Sequence, residues 1–178
     1  MSRLAPTVDL DTMPETPLKL IAHRGNIDGR QPVKENSPDY IDRAIHLGFD
    51  VEVDVWGREG IFGLNLGHDG PVYPIDFSFI ENRIQHLWVH CKCPYSLFLL
   101  REYLPSVRYF FHQTDDYTIT SWQDIWCYPG KPAYGSHAIV LLPEQWMELD
   151  QVGKYCQRTQ AAGVCSDFVG QIKSIINT

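Results

Sequence analysis

Residues 49–56 read Phe-Asp-Val-Glu-Val-Asp-Val-Trp, with valine and acid in strict turn from Asp50 to Val55. A period of two is a strand signal and is incompatible with an amphipathic helix. Side chains on a strand point alternately to its two faces. Val51, Val53 and Val55 therefore share one face, suited to packing under helices. Asp50, Glu52, Asp54 and Trp56 share the other. Two carboxylates two residues apart on one face repel each other if they are partly buried. A divalent cation would relieve that repulsion, and hard oxygen ligands suit Mg2+, Mn2+ or Ca2+. An exposed antiparallel strand with its acids turned to water has the same pattern, so the pattern alone leaves both readings open.

Short β-rich runs recur on either side of this segment. They fall at Leu18–His23, Ile61–Leu66, Leu87–Cys93, Arg108–His112, Ile125–Tyr128, Ala138–Leu142 and Gly163–Val169. Each is bounded by Gly, Pro or polar residues, as strand ends are, and with 49–56 they make eight candidate strands. Helical signals lie between some of them. Ser37-Pro38 reads as an N-cap with Pro at N1, followed by Ile41, Ala44, Ile45 and Gly48 at helical spacing. Further helices are expected over Ser96–Tyr103, Glu144–Gln160 and Gln171–Asn177. Strand–helix alternation argues for an α/β protein with a mainly parallel sheet. Eight strands suggest a (β/α)8 barrel of the TIM type. Such a barrel typically needs about 250 residues, and this chain has 178. A compact barrel is therefore expected, with several outer helices shortened or missing, chiefly between Phe110 and Leu142. An open doubly wound sheet is the alternative, but its glycine-rich dinucleotide turn is absent, and His23-Arg24-Gly25 follows the first strand instead. Residues 1–17 read as a Pro-rich extended arm and residues 18–178 as one domain.

Composition narrows the partners. Fifteen Lys and Arg stand against 22 Asp and Glu, a formal charge of −7. That balance disfavours gripping long nucleic acid, where affinity comes from basic side chains. No apolar run is long enough to span a bilayer, and no basic amphipathic helix offers to dock on one. The first residues contain no continuous apolar stretch of the secretory kind, so a cytoplasmic protein is expected. The five cysteines are odd in number and scattered. They read as free thiols in a reducing compartment, and Cys91-Lys92-Cys93 lacks the second pair that a zinc ribbon needs.

In a parallel barrel the C-terminal ends of the strands share one face, and active sites form there. His23 and Arg24 end the first strand, and His68 and Asp69 follow the third. Two imidazoles and an arginine would then flank Glu52 and Asp54. Such a set suits phosphoryl chemistry. A cation and Arg24 neutralise the phosphate oxygens, one His removes a proton from the nucleophile, and the other protonates the leaving alkoxide.

Four motifs in order, Ile21-Ala22-His23-Arg24-Gly25, Glu35-Asn36-Ser37, Glu52-Val53-Asp54-Val55 and Gly67-His68-Asp69, resemble the glycerophosphodiester phosphodiesterases, TIM-barrel members of the phospholipase-C-like group. That family reads H-R-G, E-N-T, E-x-D and H-D. The match covers residues 18 to 70. Val89-His90-Cys91-Lys92 lies where the family has E-x-K, and Gly163–Phe168 is similar to its final strand. The resemblance implies His23 and His68 as the acid/base pair and Arg24 on the phosphate. It implies Glu52 and Asp54 as metal ligands, Glu35 at the same mouth, and Lys92 touching phosphate or ordering the carboxylates. The substrate would be a small or polymer-linked phosphodiester. One departure is plain: the family's third acid is His90 here. An imidazole still binds divalent ions but suits Mn2+, Fe2+ or Zn2+ better than Ca2+. A degenerate barrel that binds a phosphorylated sugar or glycerol, or a cyclising phospholipase-like lyase, would carry the same motifs.

Elsewhere, His112, Asp115 and Lys131 are candidates for lining the pocket, with Trp126 and Tyr128 stacking on a substrate group. The opposing reading is that these aromatics fill the interior where helices are missing. His46, His86 and His137 are expected on a helix face or in loops.

Overall fold

The computed structural model describes residues 17–177; all but the last residue of the expected N-terminal arm lies outside them. The described chain is a mixed α/β domain with a ten-stranded sheet. The strands are β1 (Lys19–His23), β2 (Asp50–Arg58), β3 (Ile61–Leu66), β4 (Tyr73–Ile75) and β5 (Leu87–Cys91), then β6 (Arg108–Phe110), β7 (Tyr117–Ile119), β8 (Ile125–Cys127), β9 (Ala138–Leu141) and β10 (Gly163–Ser166). Seven of them form one parallel run in the order β6-β5-β2-β1-β10-β9-β8.

The expected third parallel strand is instead antiparallel. β2 continues beyond its neighbours. β5 takes one edge from Val51 to Val55, and β1 takes the first part of the other, ending at His23 opposite Glu52. β3 folds back along the rest of that second edge, Leu66 opposite Val55 and Ile61 opposite Arg58. Short β4 extends this hairpin, and short β7 pairs antiparallel with β8.

Helix α1 (Pro38–His46) starts where the Ser37-Pro38 signal puts it. A five-residue helix, α2 (Phe77–Glu81), was not expected. Helix α3 (Pro94–Tyr103) begins two residues early, because the Cys93 thiol caps it by accepting from the Ser96 N–H at 3.4 Å. Pro143 opens a 3-10 turn over Pro143–Gln145, so α4 (Leu149–Thr159) starts five residues later than the expected helix. Helix α5 (Val169–Ile176) closes the described chain. Among the described residues no helix lies between β6 and β9, which is where trimming was expected. All five cysteines are unpaired.

The strand period sorts the side chains as the sequence implies. Val51, Val53 and Val55 are fully buried among Ile41 and Ala44 of α1 and Leu99 and Leu100 of α3. On the other face a separate core gathers Ile21, Trp88, Phe110, Trp126, Ile139 and Cys165. These six come from six of the seven parallel strands, including both ends of the run. The Phe110 and Trp126 rings meet at 4.7 Å, and Trp88 and Trp126 at 5.7 Å. The sheet is therefore rolled around this aromatic plug. No ladder closes the roll among the described residues. Ser121 bridges the gap instead, its N–H donating to the Tyr109 carbonyl at 2.8 Å and its Oγ accepting from the Tyr109 N–H at 3.0 Å. Trp126 belongs to the plug, so the interior-filling reading holds for it.

Candidate active site

Directly beyond the plug, the same inward face carries His23 on β1, Glu52 and Asp54 on β2, and His90 on β5. Register explains the convergence: Glu52 lies opposite His23, and Asp54 opposite His90. Glu52 and Asp54 are 3% and 0% exposed, so the acids do not face water as an ordinary alternating strand would have them.

Asp54 is the hub. Its Oδ2 accepts from Asn36 Nδ2 at 3.0 Å and lies 3.2 Å from His68 Nδ1 and 3.1 Å from Arg24 Nε. Its Oδ1 lies 3.2 Å from both His90 Nδ1 and Lys92 Nζ. The Asp54 N–H donates back to Asn36 Oδ1 at 2.9 Å. Burial would raise the Asp54 pKa, but bonds from His68 and His90 and the charges of Arg24 and Lys92 hold it well below the usual carboxylate range. Glu52 goes the other way. Burial first, then the charge of Asp54, pushes its pKa up. Two like acids pushed apart in this way mark a site where charge is managed rather than merely tolerated.

His68 reaches Asp54 by a route that differs from the expected one. It does not end a parallel barrel strand. The β2–β3 hairpin brings the chain back until Leu66 faces Val55, and the Gly67 N–H donates to the Asp54 carbonyl at 3.1 Å. With Nδ1 donating to Asp54, the Nε2 lone pair of His68 faces Arg24 Nη2 at 3.3 Å. Its side chain is 38% exposed, against 9% for His23.

His23 Nδ1 donates to Asp167 Oδ1 at 2.7 Å, and its Nε2 lies 3.9 Å from Glu52 Oε2. Burial favours the neutral ring. The Asp167 bond and the nearby charge of Glu52 outweigh it, and the pKa is raised. Asp167 itself is fixed by Asn26 Nδ2 at 2.8 Å, and its N–H donates to Glu144 Oε1 at 2.9 Å. Glu35 does not join the acid pair. It accepts from Arg24, Asn26 and Arg30 at 3.0–3.2 Å. Burial opposes its ionisation, but these three donors bring its pKa down to about 2. Its place is behind Arg24, orienting the guanidinium.

Sequence reasoning missed Asn26, Asn36, Glu144 and the orienting role of Asp167. Asn36 carried one signal, its place inside Glu35-Asn36-Ser37. Arg24, Asn36 and Leu142 all have left-handed backbone, with φ of 53°, 62° and 44°. A left-handed conformation is costly for residues with a Cβ, and Arg24 and Asn36 are both in direct contact with Asp54.

Among the other candidates, the His112 carbonyl lies 3.2 Å from His90 Nε2, and its ring stacks on His90 at 4.7 Å. Burial, then the charges of His90 and Lys92, push the His112 pKa down to about 4. Lys131 pairs with Asp116 at 2.9 Å, which takes it away from the role of a free pocket cation. His86 sits beside Asp50 at 3.3 Å, at the opposite end of β2 from the site.

Glu52, Asp54 and His90 each offer one ligand atom, and these atoms lie within 4.8 Å of one another. Glu52 Oε2 and Asp54 Oδ1 are buried without a well-formed hydrogen bond. Lys92 Nζ and His90 Nδ1 lie 3.2 Å from Asp54 Oδ1, whereas among the described residues Glu52 Oε2 has only His23 Nε2 at 3.9 Å; a buried carboxylate oxygen left in this way is costly, and a cation beside it answers that cost. The donor set therefore fits a divalent ion. The chain matches no family model and no curated protein. Among the described residues no helix is long and apolar enough to cross a membrane.

Proposed function

We propose that the chain is a metal-assisted phosphodiesterase, hydrolysing a glycerol- or sugar-phosphate diester at the mouth of a shortened (β/α)8-type barrel. The observation that carries this reading is the convergence of His23 and His68 on the buried Glu52/Asp54 pair, each imidazole held by its own carboxylate. Glu52, Asp54 and His90 would hold the ion, which would supply charge neutralisation of the phosphate oxygens when bound.

The two histidines are prepared for opposite tasks. His23, with Asp167 on Nδ1 and a raised pKa, holds a proton on Nε2 and gives it to the leaving alkoxide. His68 donates through Nδ1 to Asp54, and its Nε2 lone pair, which faces Arg24 Nη2 at 3.3 Å, takes the proton of the attacking water once the phosphate engages the guanidinium. Arg24, braced by Glu35, and Lys92 face the phosphate oxygens as fixed positive charges. If a substrate hydroxyl attacks instead of water, the same pair gives a cyclic product, and phosphorus NMR of the products separates the two outcomes.

The test is hydrolysis of glycerophosphodiesters and of an aryl phosphodiester, with Mg2+, Mn2+, Ca2+ and Zn2+ supplied in turn. Turnover is expected with at least one ion, and His23→Ala or His68→Ala should each cost about 10²–10⁴-fold. No turnover with any ion, or a His23→Ala protein as active as the parent, defeats the proposal. One observation favours a second reading, a binding module without catalysis. Lys92 and Arg24 already place cations 3.2 Å and 3.1 Å from the two Asp54 oxygens. Ligand affinity that depends on Arg24, with no turnover in any ion, would establish it.

A further inference from the structure

We infer that the His90–His112 pair turns this centre into a mixed nitrogen–oxygen site selective for a transition ion such as Mn2+, Fe2+ or Zn2+ over Mg2+ and Ca2+, with His112 as the positioning residue for His90. The inference rests on reading Glu52, Asp54 and His90 as an ion site, and not on the phosphodiesterase chemistry.

Three observations carry it. First, His90 Nε2 faces the His112 carbonyl oxygen at 3.2 Å. A carbonyl only accepts, so Nε2 carries the hydrogen. Second, Nδ1 then points at two carboxylates, 3.2 Å from Asp54 Oδ1 and 3.8 Å from Glu52 Oε1. Lys92 Nζ already meets Asp54 Oδ1 at 3.2 Å, but among the described residues only imidazoles come within ion-pair distance of Glu52, so a further cation is needed between Nδ1 and the two acids. A proton would serve, and so would a metal ion. A ligating imidazole whose other N–H is tied to a carbonyl is the usual arrangement at metal centres. Third, the ring lies near-parallel to Phe110 at 5.1 Å and 8° and to His112 at 4.7 Å and 10°, with Phe110 and His112 themselves 6.0 Å apart. These contacts restrain the plane of the ring.

Chemistry then selects the ion. Ca2+ takes six to eight oxygens, and Mg2+ prefers oxygen and water in octahedral array. A set of one imidazole and two carboxylates favours the borderline ions. His112 acts through its carbonyl on Nε2 and its ring on the plane of His90.

The experiment measures binding and not turnover. Equilibrium dialysis against Mn2+, Zn2+, Mg2+ and Ca2+ separately gives the affinity ratios. Electron spin-echo spectroscopy of the Mn2+-loaded full chain reports a nitrogen bound to the ion. The parent protein is expected to prefer Mn2+ to Mg2+ and to show imidazole nitrogen coupling. His90→Glu should abolish the coupling and lower the Mn2+/Mg2+ ratio about tenfold or more; His112→Ala keeps the backbone carbonyl and removes only the ring, and should weaken Mn2+ binding about 2–10-fold. His112→Phe keeps a stacked ring and should restore most of that loss. Mn2+ bound without nitrogen coupling overturns the inference, and this readout needs no variant. So does an unchanged ratio in His90→Glu, or a His112→Phe protein as weak as His112→Ala. Phosphodiester turnover in Mg2+ with no nitrogen ligand would sink this inference and leave the proposed function standing. Selective Mn2+ binding without turnover would do the reverse.

Discussion

Replacing Asp167 with Asn isolates the contact that sets His23 apart from His68. The substitution keeps size and an oxygen for Asn26, but removes the charge 2.7 Å from His23 Nδ1. Both partners are buried, with side chains 9% and 6% exposed, so solvent screening takes little from the pair. A charge-assisted hydrogen bond of this kind contributes about 1.5–3 kcal/mol. For a chain of this size that corresponds to about 3–12 °C in melting temperature. The effect must depend on pH, and its sign is fixed. The His23 pKa is raised in the fold from an ordinary value of 6.5. Its proton-linked stabilisation is therefore complete below pH 6.5 and is lost as pH rises through the folded-state value. Urea unfolding of the metal-free parent and Asp167→Asn proteins in chelator, at pH 6 and again at pH 9, checks this. The stability gap should be largest at pH 6 and smaller at pH 9. A gap that is absent at pH 6, or as large at pH 9, would refute the assignment of Asp167 as the partner that charges His23.

Two further perturbations probe the frame of the site. Asn36→Ala deletes both buried bonds to Asp54 and leaves alanine at φ 62°. A loss of at least about 3 kcal/mol is expected by urea titration, and a change under about 1 kcal/mol would show that Asn36 is not a support of Asp54. Gly25→Ala, at φ 88°, would set its Cβ 2.8 Å from Tyr40 Cδ1. Thermal melting should fall by the equivalent of about 1–2 kcal/mol or more, and an unchanged melting point would contradict the close approach of this turn to α1.

Much of the fold was legible because β2 states its own geometry. Alternation from Asp50 to Val55 fixes which side chains go inside, and parallel neighbours then carry His23 and His90 to the same level. The hairpin was not legible in this way. Ile61–Leu66 has a strand's composition whether it runs parallel or returns along β2, and the antiparallel choice depends on β2 outlasting β1, which is a property of the whole sheet. β4 and β7 are three residues each, too short to show a period. The candidate ion-site residues were visible as types that rarely share a buried surface. Their supports were not. Asn26 looks like an ordinary loop residue, Asn36 is marked only by its place in Glu35-Asn36-Ser37, and Asp167 is 144 positions from the histidine it orients. Such contacts follow from closing β1 against β10, and local sequence says nothing of that closure. His112 stood out in sequence as a possible pocket residue. Its part in holding His90 depends on the register of β5 against β6, with His90 opposite Phe110.

The proposed function requires an ion and a phosphorus atom to meet in the cup formed by His23, Glu52, Asp54, His68 and His90. Mn2+ relaxes nearby phosphorus nuclei steeply with distance, so phosphorus NMR of a slowly cleaved phosphorothioate diester reads that meeting directly. Strong Mn2+-dependent broadening of the diester resonance is expected in the parent protein, and its loss in Asp54→Asn. A resonance that stays sharp with Mn2+ bound to the parent protein, or one that broadens equally in Asp54→Asn, would contradict it.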